Sequence, residues 1–230
     1  MLSLAHALKT YGRSAAAAAG PPDAANLQFL AVPTGPFWQD SGRTTPAAVA
    51  DPVGAWDDVS GLAQHATGSG TTRPIRRAGG VSFAEDSVSD WLVSGASALS
   101  AGWSLYLRCD VTSIADGILA ASSPTTVTEP LLNSYPTQLY GSVNAGFQAV
   151  AADAGGNAVR GFTYGAFALT TFVGAIESTA GAVSTSPIAA LSIGSTLAGP
   201  YKGAVQAVAL YRGAHDLTTR DAVRAYLLAL

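Results

Sequence analysis

The stretches "WSLYLRCDV" at residues 103–111 and "AVQAVALY" at 204–211 alternate apolar side chains with polar or small ones. Alternation sets one group of side chains on each face of an extended strand, because successive residues of a strand point to opposite sides. Around them, "LQFLAV", "GVSF", "GILAAS", "QLYGSV", "GFQAVAA", "AVRGFTYGAFAL", "TFVGAIES" and "ALSIG" form further short apolar runs bounded by Gly, Pro, Ser and Asn. Many short strands between turn residues describe an all-β chain, a sandwich or a barrel of antiparallel strands. A helical period enters only at "LTTRDAVRAYLLAL". There Thr218 is the expected N-cap with Asp221 three residues on, and Val223, Tyr226, Leu227 and Leu230 share a face.

Composition fits this reading. The 230 residues suit one large β domain, with 48% hydrophobic and only 12% charged residues, so the surface should be Ser, Thr and Gly rather than Lys and Glu. Twelve basic and 15 acidic residues are scattered, for a net charge of -3, which argues against a nucleic-acid partner. No apolar run reaches the 18 or so residues of a spanning helix, and no membrane span is expected. The single cysteine, Cys109, sits on an alternating run, where a buried, unreactive thiol is expected. Residues 1–26 differ from the rest: Leu2, Leu4 and Leu8 near helical spacing, Tyr11, then five alanines before Gly20, Pro21 and Pro22. They read as an arm or short helix with a linker, leaving 27–230 as the domain.

The stretch from Gly35 to Ile75 collects Trp38, Trp56, His65 and several carboxylates among Gly, Thr and Pro. Asp51 before Pro52 and Asp58 before Ser60-Gly61 suit turns in which a carboxylate accepts backbone N–H bonds. The tryptophans suit a sheet edge packed under a loop, and His65 a hydrogen-bonded packing role.

These residues carry a resemblance. Phe37, Gln39, Asp40, Thr45, Pro46, Asp51, Pro52, Val53, Gly54, Asp58, Ser60, Gly61, His65, Ala66, Thr67, Arg73 and Pro74 follow one another as in the opening segment of the concanavalin A-like (laminin G-like) jelly roll. The form it resembles is that of phage and prophage virion proteins. "GGVSFAEDSVSDWL" and the stretch from "LSIGSTLAGPYKG" to the final helix are similar to later parts of the same family. The resemblance covers most of 36–230 and implies a concanavalin A-like sandwich of two antiparallel sheets with an N-terminal arm and a C-terminal amphipathic helix. Residues 122–145 and the "TAGAVS" turn depart from the pattern.

Chemistry is scarce in the sequence. A glycoside hydrolase needs two carboxylates about 5 to 5.5 Å apart for retention, two or four residues apart on one strand face. Glu85, Glu129 and Glu177 have no such partner, and no nucleophile elbow, zinc helix or phosphate loop occurs. The expectation is that the chain is not an enzyme and has no cofactor or metal; calcium could find oxygens in "DDVSG" or "AEDSVSD", but neither has a dedicated ligand spacing.

The expected role is a structural protein on the virion surface of a tailed phage or phage-like particle, as capsid decoration, fibre or tail component. Leu2, Leu4, Leu8 and Tyr11 of the arm would hold other virion proteins, in a cyclic homo-oligomer such as a trimer. Host surface polysaccharide is the expected ligand, with Tyr135, Gln138, Tyr140, Asn144 and Trp91 the candidate binding residues. The alternative is a free carbohydrate-binding adhesin outside any virion.

Overall fold

The structure, a computed structural model, describes residues 20–68, 70–71, 73–83, 90–96, 99, 102–113, 117–121, 131–135, 137–143, 147–165, 168–181, 190–194 and 202–230. Among them, 17 strands form two antiparallel sheets, and one helix closes the chain. The first sheet runs β15 (Ile176–Gly181), β14 (Ala168–Val173), β13 (Gly156–Gly165), β8 (Trp103–Ser113), β17 (Lys202–Arg212), β6 (Gly80–Phe83), β5 (Ile75–Arg77), and β1 (Leu27–Ala31) also pairs with β17. The second runs β12 (Phe147–Ala152), β11 (Gln138–Val143), β10 (Leu131–Tyr135), β9 (Gly117–Ala121), β16 (Ser192–Gly194), β7 (Trp91–Ser94), β4 (Ala66–Thr67), β3 (Ala55–Trp56), β2 (Phe37–Trp38). This is the expected all-β jelly-roll sandwich. The arm residues Leu2, Leu4, Leu8 and Tyr11 lie outside the described residues.

The two alternating stretches are β8 and β17, side by side at the centre of the first sheet. Their pairing passes from Val205↔Cys109 to Ala207↔Arg108, so Gln206 is an extra residue, a β-bulge. The bulge changes which residues face the core. Val205 points inward before it and Val208 and Leu210 after it, while Ala207, Ala209 and Tyr211 turn to the outer face.

Two cores result. Leu105, Leu107, Cys109, Phe162, Leu169 and Leu210 of the first sheet meet Leu92, Leu132, Leu139 and Ile193 of the second. The sheets come close where Gly141 lies opposite Thr171, since a Cβ on Gly141 would stand 2.2 Å from Thr171 Oγ1. Cys109 is fully buried, as its run predicts. On the outer face of the first sheet, Tyr106, Val159, Phe172, Ala209 and Tyr211 pack under the helix α1 (Leu217–Ala229). Val223 and Leu227 are buried there, with Tyr226 and Leu230 against them, which is the predicted face. Its start differs from expectation: the N-cap is Asp216, whose carboxylate accepts the Thr219 N–H at 2.8 Å, rather than Thr218. A carboxylate at that place accepts the free amide and answers the helix dipole, which a hydroxyl inside the first turn cannot do.

Two apolar runs hide reversals. Residues 158–169 hold the end of β13 and the start of β14, and 171–178 hold a turn at Gly174, with φ 55°, between β14 and β15. In the first run the apolar pattern continues because Phe162 and Leu169, on either side, face the same core; in the second, Ile176 after the turn is exposed, and no Pro, Asn or Asp marks either turn.

One buried ion pair lies where the chain passes from the second sheet to the first. Arg160 Nε and Nη2 donate to Asp153 at 2.7 and 2.8 Å, and Nη1 donates to the carbonyls of Cys109 and Gly156. Neither side chain reaches solvent.

The opening segment serves the fold. Phe37 stacks on Trp56 at 5.1 Å, and Trp56 Nε1 donates to the Val32 carbonyl, at the edge of the second sheet. Asp40 accepts the N–H groups of Thr44 and Thr45, Asp51 that of Ala48, and Asp58 those of Leu30, Ser60 and Gln64. The Asp58 amide donates to His65 Nδ1. These are the turn and packing roles that the sequence suggests, and Asp58 adds a long-range tie to β1.

Candidate functional site

The outer face of the second sheet carries the candidate binding residues that the structure describes. On β7 Leu92 enters the core, so its neighbour Trp91 faces out; on β11 Leu139 enters the core, so Gln138 and Tyr140 face out. Trp91 and Tyr140 are half-buried and Gln138 is exposed. The Tyr140 hydroxyl donates to Gln138 Oε1 at 2.6 Å. Pairing of Trp91 with Gly194, Ile193 with Ala120, Asn133 with Ile118 and Asn133 with Tyr140 puts the two rings on nearly one line across the sheet. Four strand steps of roughly 4.8 Å separate them by about 19 Å. At that separation they are not walls of one pocket. Tyr135 is the cross-strand partner of Gln138, its side chain outside the description, and Asn144 lies outside the described residues. Trp103, by contrast, is a core residue, its ring packed against those of Phe162 and Tyr164.

A pocket elsewhere was not legible in the sequence. At one end of the sandwich, Pro22, Asp23, His215, Asp216, Thr218 and Thr219 line an open pocket of about 440 Å³. His215 sits at its base with rings of Tyr106 and Tyr211 at 5.7 and 4.7 Å. Its amide donates to Ser104 Oγ and Thr163 Oγ1, its Nδ1 meets the Tyr106 hydroxyl at 2.8 Å, and its Nε2 meets Asp23 Oδ2 at 3.1 Å. Burial holds the imidazole below its ordinary pKa, against the opposing pull of Asp23 and Asp216. Burial likewise raises both tyrosines, so neither ionises near neutrality. The Thr219 N–H keeps the Asp216 carboxyl low. These partners are 109 and 192 residues from His215 in sequence, so no local motif could announce them. Beside the pocket, Glu177 receives both Arg220 and Arg224, and although burial opposes it, their charges hold its carboxyl below the usual range.

Among the described residues no group of three or more His, Cys, Asp or Glu side chains is placed to hold a metal ion. Nor, among them, is any helix long and apolar enough to cross a membrane.

No family model matches the sequence, and no curated protein does. Solved structures do resemble it. Trypanosoma rangeli sialidase is similar over 88% of this chain and 33% of its own, with TM-score 0.58 and 12% identity. A GH54 α-L-arabinofuranosidase variant soaked with 4-nitrophenyl α-L-arabinofuranoside is similar over 77% and 51%, with TM-score 0.53 and 12% identity. The chain thus spans about a third to a half of these proteins, and the likeness is one of fold. It corrects the expectation that the chain is not an enzyme, because the structures it resembles are enzymes. A search for carboxylates close in sequence does not decide that question, since distant segments can bring side chains to one place, as Asp23 and Asp216 both line the pocket at His215.

Proposed function

We propose that this chain is a glycan-recognising jelly roll displayed on the surface of a tailed phage or phage-like particle and attached through residues 1–26. The observation that carries the recognition half is the Tyr140–Gln138 pair on the outer face of the second sheet, in line with Trp91. An aromatic face with an oriented hydroxyl and an exposed amide beside it offers a sugar both apolar contact and hydrogen bonds. The low charge supports dense display, since a neutral Ser, Thr and Gly surface packs against copies without burying unpaired ions. The particle half rests on the resemblance of the opening and closing segments to virion jelly rolls.

The test is binding of the full chain to an array of bacterial surface polysaccharide fragments, repeated with Tyr140→Ala and Trp91→Ala. Each variant should lose tenfold or more in affinity, about 1.4 kcal/mol, while melting with the parent. Unchanged binding in both would remove the outer face from the argument. Product analysis of any bound glycan separates recognition from hydrolysis. Mass spectrometry of purified particles decides the display: hundreds of copies mean capsid decoration, a few dozen a fibre or tail component, and absence leaves the free adhesin.

A further inference from the structure

Charge is divided unevenly between the two sheets. None of the nine strands of the second sheet holds an Asp, Glu, Lys, Arg or His, from Phe37–Trp38 at one edge to Phe147–Ala152 at the other. The strands of the first sheet hold Arg76, Arg77, Arg108, Arg160, Lys202 and Arg212, together with Asp110 and Glu177. The remaining Lys and Arg of residues 20–230 are Arg220 and Arg224 on α1 and Arg43 and Arg73 in the loops between β2 and β5. A sheet face turned to water ordinarily carries charged side chains. Their absence beside aromatic rings is the composition of a surface that is covered in use.

The outer positions of that sheet follow from those that enter the core. Phe37 stacks on Trp56 inside, so Trp38 faces out, half-buried; Ala66 and Leu92 enter the core, so Thr67, Trp91 and Val93 face out. Register sets Trp38 beside Ala55, Ala55 beside Thr67 and Thr67 beside Val93, in the row next to that of Trp91. Trp38 thus adds a third ring to Trp91 and Tyr140 on the face where Gln138 presents its amide. Charges around the sheet do not offset its neutrality. The residues that directly adjoin its strands include Asp57, Asp90 and Asp153 and no Lys or Arg. Arg43 pairs with Asp57, Arg73 donates to the carbonyls of Gln39 and Gly70, and Arg160 is closed on Asp153. Arg76 lies over the Phe37 ring, which is on the side of β2 away from Trp38.

We propose that the outer face of the second sheet takes an uncharged glycan and excludes acidic ones. This names the ligand class of the recognition face described above and rests on that reading. A neutral sugar gives up the water over its ring to an aromatic side chain and exchanges hydrogen bonds with Gln138 and Tyr140. The carboxylate of an acidic sugar laid on the same face loses its hydration, and no cation on the sheet replaces it. The carboxylates that adjoin the strands oppose it further. Selectivity comes from what the face lacks as much as from what it offers. Because no ion pair forms, affinity for the neutral ligand is independent of salt.

Binding of the full chain to matched polysaccharides tests it. The probes are bacterial surface polysaccharide fragments, some neutral and some built with uronates, and each uronate polymer is also supplied after reduction of its carboxyl groups to primary alcohols. Neutral and carboxyl-reduced fragments should include binders whose affinity falls at least tenfold in Trp91→Ala and holds as salt is raised. Each reduced fragment that binds should do so at least tenfold more tightly than its uronate parent. Thr67→Lys, which sets a cation on the face, should strengthen binding of the uronate form severalfold and leave the neutral form unimproved. Should that variant not fold, the matched pairs decide with the parent chain alone. A uronate polymer bound as tightly as its reduced form, with that binding lost in Trp91→Ala, would overturn the exclusion and leave glycan recognition by this face standing. Absence of binding to every probe, or binding that neither Trp91→Ala nor Tyr140→Ala weakens, would overturn both.

Discussion

Replacing Asp153 by Ala strikes the one pair of opposite charges that the sandwich buries completely among the described residues. Arg160 would lose two charge-assisted bonds, of 2.7 and 2.8 Å, and keep its guanidinium in the gap between sheets with donors it cannot turn towards water. The Gly155 N–H would lose its acceptor too. Removing one member of a buried pair costs about 3–5 kcal/mol, because the charge left behind stays desolvated. For a domain of this size roughly 2–4 °C of melting temperature goes with each kcal/mol, so a fall of about 6–20 °C is expected. Urea unfolding followed by tryptophan fluorescence measures it, with the slope unchanged if the cooperative unit is the same. Cys109 gives a local reading: Arg160 Nη1 holds its carbonyl at 2.9 Å, so its thiol should become accessible to reagent sooner in the variant. The double change Asp153→Ala with Arg160→Met removes both charges and should recover much of the loss. Burial raises the Asp153 carboxyl, but the bonds from Arg160 and Gly155 outweigh it and hold it below the usual range. Its contribution is therefore present above the unfolded value of about 3.9 and is lost as pH falls below that. A single variant less than about 1 kcal/mol weaker than the parent, or a double variant no better than the single, would refute the reasoning.

Two further changes probe how the sheets are joined. Gly141→Val places a side chain against Thr171 Oγ1 from a Cβ only 2.2 Å away, so the sheets must part; a loss of at least about 3 kcal/mol is expected, seen as a lowered thermal midpoint. Asp58→Ala leaves the buried Leu30 N–H without its acceptor and frees the turn at Ser60 and Gln64, for about 1–3 kcal/mol, with faster hydrogen exchange at Leu30 as the local mark.

The sequence by itself determined the class and the local roles. Alternation in 103–111 and 204–211 identified β8 and β17, and the period of the last fourteen residues identified α1 and its buried face, because burial on one side of a strand or helix writes its spacing directly into the chain. Carboxylates beside Pro, Ser and Gly were readable as turn acceptors for the same local reason. Those candidates that the structure describes, Trp91, Gln138 and Tyr140, were nominated by residue type, and only strand pairing placed Trp91 in line with Tyr140. The tertiary structure alone decided the rest. The bulge at Gln206 reverses the facing of β17 and so delivers Tyr211 beside His215. The Asp153–Arg160 pair forms only where two sheets meet, and Asp23, Tyr106 and His215 converge from positions up to 192 residues apart. Contacts made across such distances leave no spacing in the sequence, since their geometry is fixed by the packing of whole sheets rather than by neighbours along the chain.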